Sequence, residues 1–200
     1  MDVLKRFLNS PYSFWALLAL PSLGILSGYL GGDASAHRLL HPTGEFAARF
    51  MILAMVITPL RLLFPNHRWP LWLLKRRRYL GVAAFGYALL HTAFYLIDKG
   101  SLSAVLGDVL ELSIWTGWLA FLIFVPLAMT SNDWAVKRLK RAWKSLQRWV
   151  YGAAALTLAH WIFLEYEVGA ALVHFLPLAG LELYRIIQNH RTSTAAAADA

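Results

Sequence analysis

Apolar residues in this chain come in six long blocks rather than in alternation: roughly 13–30, 46–64, 79–97, 113–129, 149–165 and 169–187. Most approach the roughly 20 residues that a helix needs to cross about 30 Å of hydrocarbon. None shows the period-two pattern of a membrane barrel. Lipid tolerates only helices or closed barrels, because every backbone polar group must be satisfied internally. The pattern predicts an all-α integral membrane protein, a bundle of six transmembrane helices. Pro21, Pro59, Pro126 and Pro177 fall within or at the ends of blocks and are expected to kink or stop them.

Two segments between the blocks are amphipathic. "SLSAVLGDVLELS" at 101–113 places Asp108 and Glu111 three apart on one helical face and is expected on the outer interface. "SNDWAVKRLKRAWKSLQRWV" at 131–150 reads as one basic amphipathic helix. Trp134, Leu139, Trp143, Leu146 and Val150 recur there at helical spacing, and Ser131 or Asn132 is the expected N-cap. "TSTAAAADA" at 192–200 has no apolar face to pack. The expected organisation is one domain over 1–190 and a disordered tail over 191–200. No internal repeat and no soluble domain stand out.

Charge adds an orientation. The chain has 200 residues, 58% hydrophobic and only 15% charged, where a soluble domain carries about a quarter. Its net charge of +8 points to the positive-inside rule, not to nucleic acid. Sixteen of the 19 Lys and Arg residues lie before the first block, between the second and third, between the fourth and fifth, or after the sixth. Only Arg38, Arg49 and Lys99 fall on the other side, with seven of the 11 acids: Asp33, Glu45, Asp98, Asp108, Glu111, Glu165 and Glu167. Both termini are therefore expected in the cytoplasm. Lys5, Arg6, the run 14–30 and "ASA" at 34–36 imitate a cleavable signal peptide. The run is longer than the roughly 7–15 residues of a signal core, so a retained first helix is expected.

The chain has no cysteine, which excludes disulfides, iron–sulfur clusters and thiolate metal sites. Of its seven histidines, His37, His41, His67 and His190 fall in loops, at span ends or in the tail and read as solvated or interfacial. His91 and His160 are different. Arg78 to His91 is 13 residues and Arg148 to His160 is 12. At about 1.5 Å per residue, both rings lie roughly 18–20 Å from the inner surface, on helices running the same way. An imidazole in lipid is costly unless paired. Two at one depth can grip a haem iron from both sides, or can pack as a hydrogen-bonded pair. His174 has a similar depth; it could replace one ligand, meet a haem propionate, or face the headgroups. His41 and Arg49, on the outer side, are modest candidates for propionate contacts. On the inner side, Arg76, Arg77 and Arg78, with Lys137, Arg138, Lys140 and Arg141, either fix topology and bind anionic lipid or hold the phosphate of a flavin nucleotide. In the second case Trp134 and Trp143 would lie near the ring.

The order "HPTG" (41–44), "ITPL" (57–60), "RRYLG" (77–81), "LLHTAFY" (89–95), "TS" (130–131), "W..L...VY" (143–151) and His160 resembles the haem-binding membrane subunits of bacterial protein-methionine-sulfoxide reductase systems. Those belong to the ferric-reductase-like transmembrane group. The resemblance covers about 37 to 166; the first and last spans match only as apolar helices. It implies a six-helix inner-membrane bundle carrying haem b, in some members with FMN. Electrons would come from a cytoplasmic NAD(P)H flavin reductase or quinol and go to a periplasmic molybdopterin methionine-sulfoxide reductase subunit. It also implies His91 and His160 as axial ligands and Arg77 and Arg78 at a flavin edge. One departure matters: the family's further histidine at the inner end of the fifth span is here Gln147, a poor iron ligand, so one haem is expected. A ferric- or quinone-reductase-like oxidoreductase without the molybdoenzyme, and a haem-free membrane scaffold, are the alternatives.

Overall fold

The computed structural model describes residues 10–165 and 168–198. Lys5, Arg6 and Glu167, used above as orientation signals, lie outside them. Among the described residues there are ten helices and no strand: α1 (Pro11–Leu30), α2 (Ala36–Leu63), α3 (Trp69–Leu74), α4 (Arg77–Lys99), α5 (Leu102–Asp108), α6 (Leu112–Met129), α7 (Asp133–Leu139), α8 (Arg141–Gln147), α9 (Val150–Glu165) and α10 (Val168–Ala198). Five of them, α1, α2, α4, α6 and α10, are long and apolar enough to cross a membrane. At 16 residues, α9 is shorter than the roughly 20 a perpendicular span needs.

The bundle is built from two helical hairpins. α2 packs along α4, and α6 along α9; α10 then closes against α2, and α1 against α2 and α4. Ala48, Met51 and Met55 of α2 meet Ala84 of α4, Phe124 of α6, Ala153 of α9 and Phe175 of α10 in the main core. Alanines at these crossings let backbones approach, the means by which helices associate where burial from water supplies no drive. The outward faces are apolar instead: Leu20, Leu23, Leu89, Leu122 and Leu176 are all more than half exposed. That inside-out distribution is what a lipid solvent selects.

The prolines do not stop the helices. Pro21, Pro59, Pro126 and Pro177 all lie inside α1, α2, α6 and α10. At Pro21 the reason is visible. Tyr87 of α4 inserts its hydroxyl into the α1 ladder, accepting from Ser22 N–H at 2.9 Å and donating to the Leu18 carbonyl at 3.0 Å. Ordinary caps set the other ends. The Ser35, Ser101 and Asn132 side chains accept from Arg38, Ala104 and Ala135 N–H, and Gly100 ends α4 at φ 65°.

Two expectations need correction. The segment 131–150 is not one helix; Asn132 caps α7, and Lys140, at φ 49°, turns the chain before α8. The turn brings Trp143 Nε1–H to the Thr130 carbonyl at 2.9 Å, so tertiary hydrogen bonding overrides the amphipathic period. Asp108 and Glu111 do not share a helix, because α5 ends at Asp108 and Glu111 sits at the N-cap of α6. There its carboxylate suits the helix dipole, while Asp108 pairs with Lys99. Residues 191–198 continue α10 as helix, in keeping with the helix propensity of the alanine-rich run.

Candidate functional site

A cleft opens between the two hairpins, lined by α2, α4, α6 and α9. Small residues form its floor, among them Gly44, Ala47 and Gly117, and Tyr95, Trp118 and Phe121 wall it. Its empty volume is about 710 Å³, including the part open to the exterior. His91 and His160 both stand in it.

Each histidine is held by the first helix of its own hairpin. His91 Nδ1 lies 2.9 Å from the Leu40 carbonyl oxygen, and His160 Nδ1 bonds the Ser113 carbonyl oxygen. A carbonyl can only accept, so each Nδ1 carries the proton and each Nε2 carries the lone pair. This is the tautomer that a metal-ligating imidazole with a fixed outer partner uses. Glycines let the rings come this close. A β-carbon on Gly44 would stand 3.1 Å from His91 Nδ1, and one on Gly117 would stand 2.8 Å from His160 Nδ1.

The two ring centroids are 6.1 Å apart and the ring planes stand at 84°. A metal–imidazole bond is about 2.0 Å, and a ring nitrogen lies about 1.1 Å from its centroid, so two imidazoles on one metal have centroids about 6 Å apart. The donor set, its tautomers and its spacing therefore fit a six-coordinate metal carried by a flat apolar group, with an aromatic and small-residue cleft for that group's faces.

The other outer candidates form a separate network. Arg49 Nε donates to His174 Nε2 at 3.2 Å, and His174 Nδ1 donates to the Ala170 carbonyl at 2.8 Å. Both nitrogens of His174 are thus engaged, and its ring packs on Trp161 at 5.2 Å. Arg49 also pairs with Glu45, whose other oxygen is 3.9 Å from His41 Nε2. His41, Arg49 and His174 do not line the cleft.

A second, larger cavity lies at the opposite end of the same hairpins, with about 1620 Å³ of empty volume including its open part. Arg77, Arg78, Lys144, Arg148 and Arg185 line it, with Trp143 and Tyr151. Arg78 is compensated by Asp133 at 2.6 Å and Arg185 by Glu182 at 2.8 Å; Arg77 donates to Thr58 Oγ1 at 3.3 Å. Lys137, Arg138, Lys140 and Arg141 are not in the lining, and Trp134 is 74% exposed, away from it. Gln147 is in the wall, donating its amide to the Leu127 carbonyl at 3.1 Å and Thr130 Oγ1 at 3.2 Å. Among the described residues no histidine lines this cavity.

The sequence reading missed the residues that hold the histidines: Leu40, Thr43, Ser113, Thr116 and Gly117. It noted "HPTG" but not "WTG" at 115–117, the matching signal on the second hairpin.

The sequence profile of the family described as ferric reductase like transmembrane component matches residues 43–158. It begins on Thr43, includes His91 and Gly117, and stops two residues before His160. The chain is 36% identical over 168 residues to the protein-methionine-sulfoxide reductase heme-binding subunit MsrQ of Brucella anthropi, covering 82% of this chain and 74% of that protein. It is 39% identical over 139 residues to the proteins of the same name in Brucella ovis and Brucella suis. Those alignments cover 68% of this chain and 60% of each relative. No solved structure matches the chain.

Proposed function

The chain belongs to the ferric-reductase-like transmembrane family, among the heme-binding subunits of protein-methionine-sulfoxide reductases, and from that premise we propose that it carries one haem b between His91 and His160. Its place is the bacterial inner membrane, which it crosses several times. The observation that carries the haem assignment is the imidazole pair itself: rings 6.1 Å apart, each with Nδ1–H given to a backbone carbonyl. When bound, the haem would supply reversible one-electron chemistry to a chain without cysteine.

The protein's part is to hold, orient and dry that group. Leu40 and Ser113 fix the imidazole tautomers. Gly44 and Gly117 admit the rings to the backbone, and Tyr95, Trp118 and Phe121 exclude water from the cleft. Arg49, on α2, would supply a cationic side chain to an acidic haem edge once Glu45 and His174 release it, and His41, two turns earlier, a hydrogen-bonding imidazole.

Topology completes the reading. The basic residues put Arg77, Arg78, Lys144 and Arg148 in the cytoplasm, with both termini inside and α9 crossing as a short sixth span. The histidines then face the periplasm. Electrons arrive at the inner cavity from quinol or a cytoplasmic flavin reductase, with the phosphate of FMN held by Arg77 and its neighbours. They leave to a periplasmic molybdopterin subunit that reduces methionine sulfoxide. Among the described residues, Gln147 and no histidine stands in the lining of the inner cavity, which favours a one-haem chain over a two-haem one.

The test is spectroscopic. Purified protein from haem-supplied cells should show an oxidised Soret band that shifts and sharpens, with a split α/β region, on dithionite reduction. His91→Ala and His160→Ala should each abolish it. Reoxidation by a co-expressed periplasmic partner and its sulfoxide substrate separates this role from a ferric or quinone reductase. A colourless, well-folded protein would leave the haem-free scaffold as the better account.

A further inference from the structure

The two histidine cradles are copies of one another. "LLHPTG" at 39–44 in α2 and "LSIWTG" at 112–117 in α6 share a leucine followed, four residues on, by threonine and glycine. Each motif lies near the start of the first helix of a hairpin, and each meets a histidine near the end of the second. The expectation of no internal repeat is corrected at this scale: the repeat is six residues long and becomes visible only through what it binds.

Within each copy the roles are the same. The glycine lies flat against the ring, and the carbonyl four residues before it accepts the imidazole Nδ1–H. The threonine between them donates its hydroxyl back into its own helix. Thr43 Oγ1 reaches the Leu39 carbonyl at 2.6 Å and the Leu40 carbonyl at 3.0 Å. Thr116 Oγ1 reaches the Leu112 and Ser113 carbonyls, both at 2.8 Å. Leu40 and Ser113 are the carbonyls that hold His91 and His160. A threonine bonding back to its own helix is common in itself. Here both threonines are almost wholly buried (0% and 3% exposed), and each divides its one hydroxyl hydrogen between the carbonyl that a histidine uses and the carbonyl before it; Thr43 Oγ1 also lies 3.4 Å from His91 Nδ1.

We propose that Thr43 and Thr116 are a matched pair of positioning residues that share one backbone carbonyl each with His91 and His160, and thereby set the orientation and donor strength of both imidazoles. The proposal rests on the haem reading above and goes beyond it. A hydroxyl donating to a carbonyl oxygen occupies one of its two lone pairs and draws on its electron density. The imidazole N–H then gives up less of its proton to that oxygen. A less polarised N–H makes Nε2 a weaker donor to iron and stabilises the reduced metal, one of the levers by which outer partners tune potential. Because both cradles carry the device, both sides of the iron are adjusted in the same sense.

The experiment is a potentiometric titration of the purified holoprotein with its low-spin EPR spectrum. Thr43→Val and Thr116→Val keep the side-chain shape and remove the hydroxyl. Each should shift the haem midpoint to lower potential, the double variant further, with altered low-spin g values. Thr43→Ser and Thr116→Ser keep the hydroxyl and should titrate like the parent. If a valine variant loses its haem, Thr43→Ala or Thr116→Ala removes the hydroxyl with less bulk and should show the same downward shift. Valine or alanine variants with haem bound through His91 and His160 but an unshifted midpoint would overturn the proposal alone, as would serine variants displaced as far as valine. A parent protein that binds no haem would instead remove the reading on which it rests.

Discussion

Gly117 of α6 lies so close to His160 of α9 that a β-carbon there would stand 2.8 Å from both Nδ1 and Cε1 of the ring. Neither backbone nor imidazole can absorb that contact cheaply, since the ring is tied to the Ser113 carbonyl one turn away. Gly117→Ala should therefore displace His160 and lower haem occupancy severely, with an overpacking cost of about 1–3 kcal/mol in the holoprotein. Gly44→Ala, where the nearest approach to His91 is 3.1 Å, should act in the same direction but less. Gly81→Ala, with nothing within 4 Å, is the control and should keep full occupancy. Haem absorbance per protein reads all three.

The Tyr87 hydroxyl bridging Ser22 and Leu18 gives a stability prediction without a haem readout. Tyr87→Phe removes the bridge between Ser22 N–H and the Leu18 carbonyl, so that the α1 ladder must tighten for the two to meet directly, at a cost of up to about 1–3 kcal/mol where they stay apart. Detergent-solubilised Tyr87→Phe should unfold at a lower temperature than the parent while retaining its reduced-minus-oxidised spectrum. An unchanged melting temperature would mean that Ser22 N–H bonds the Leu18 carbonyl directly once the hydroxyl is gone.

Haem stoichiometry follows from the inner cavity. The parent should bind one haem per chain by pyridine haemochrome against amino-acid analysis. Gln147→His removes an amide that bonds Leu127 and Thr130 and adds one imidazole to a lining otherwise free, among the described residues, of histidine. A lone imidazole lacks the facing partner that His91 has in His160, so the ratio should stay at one. A parent value near two contradicts the account.

Arg77 lines the inner cavity with no carboxylate at ion-pair distance among the described residues; its guanidinium donates to Thr58 Oγ1 at 3.3 Å. A charge-assisted bond to phosphate is worth about 1.5–3 kcal/mol, so Arg77→Gln should weaken flavin-nucleotide binding roughly tenfold to a hundredfold. Quenching of FMN fluorescence measures this. Identical affinity in parent and variant would place the flavin elsewhere or nowhere.

Much of this architecture is legible in the sequence because lipid imposes long signals. Blocks such as 79–97 and 113–129 fall within two or three residues of α4 and α6, since crossing a bilayer needs a whole apolar helix and little else. The meeting of His91 and His160 is legible for a related reason: equal rise from two basic edges fixes equal depth. What holds them is not. Leu40 and Ser113 act through backbone carbonyls, which no side-chain pattern encodes, and a threonine–glycine pair is too short to notice twice. The 131–150 segment misleads because its periodicity is real locally. The bonds of Trp143 to Thr130 and of Gln147 to Leu127 reward a turn at Lys140 that only the folded neighbours make worthwhile.

The ligand pair is tested most directly by replacing one imidazole with a cavity and returning it from solution. In His160→Gly, the low-spin bis-imidazole EPR signal should disappear and should return when free imidazole is added, with the Soret band restored in parallel; His91→Gly should behave the same way. A His160→Gly protein that keeps the parent low-spin signal without added imidazole would show that some other side chain holds the iron, and would contradict the account at its centre.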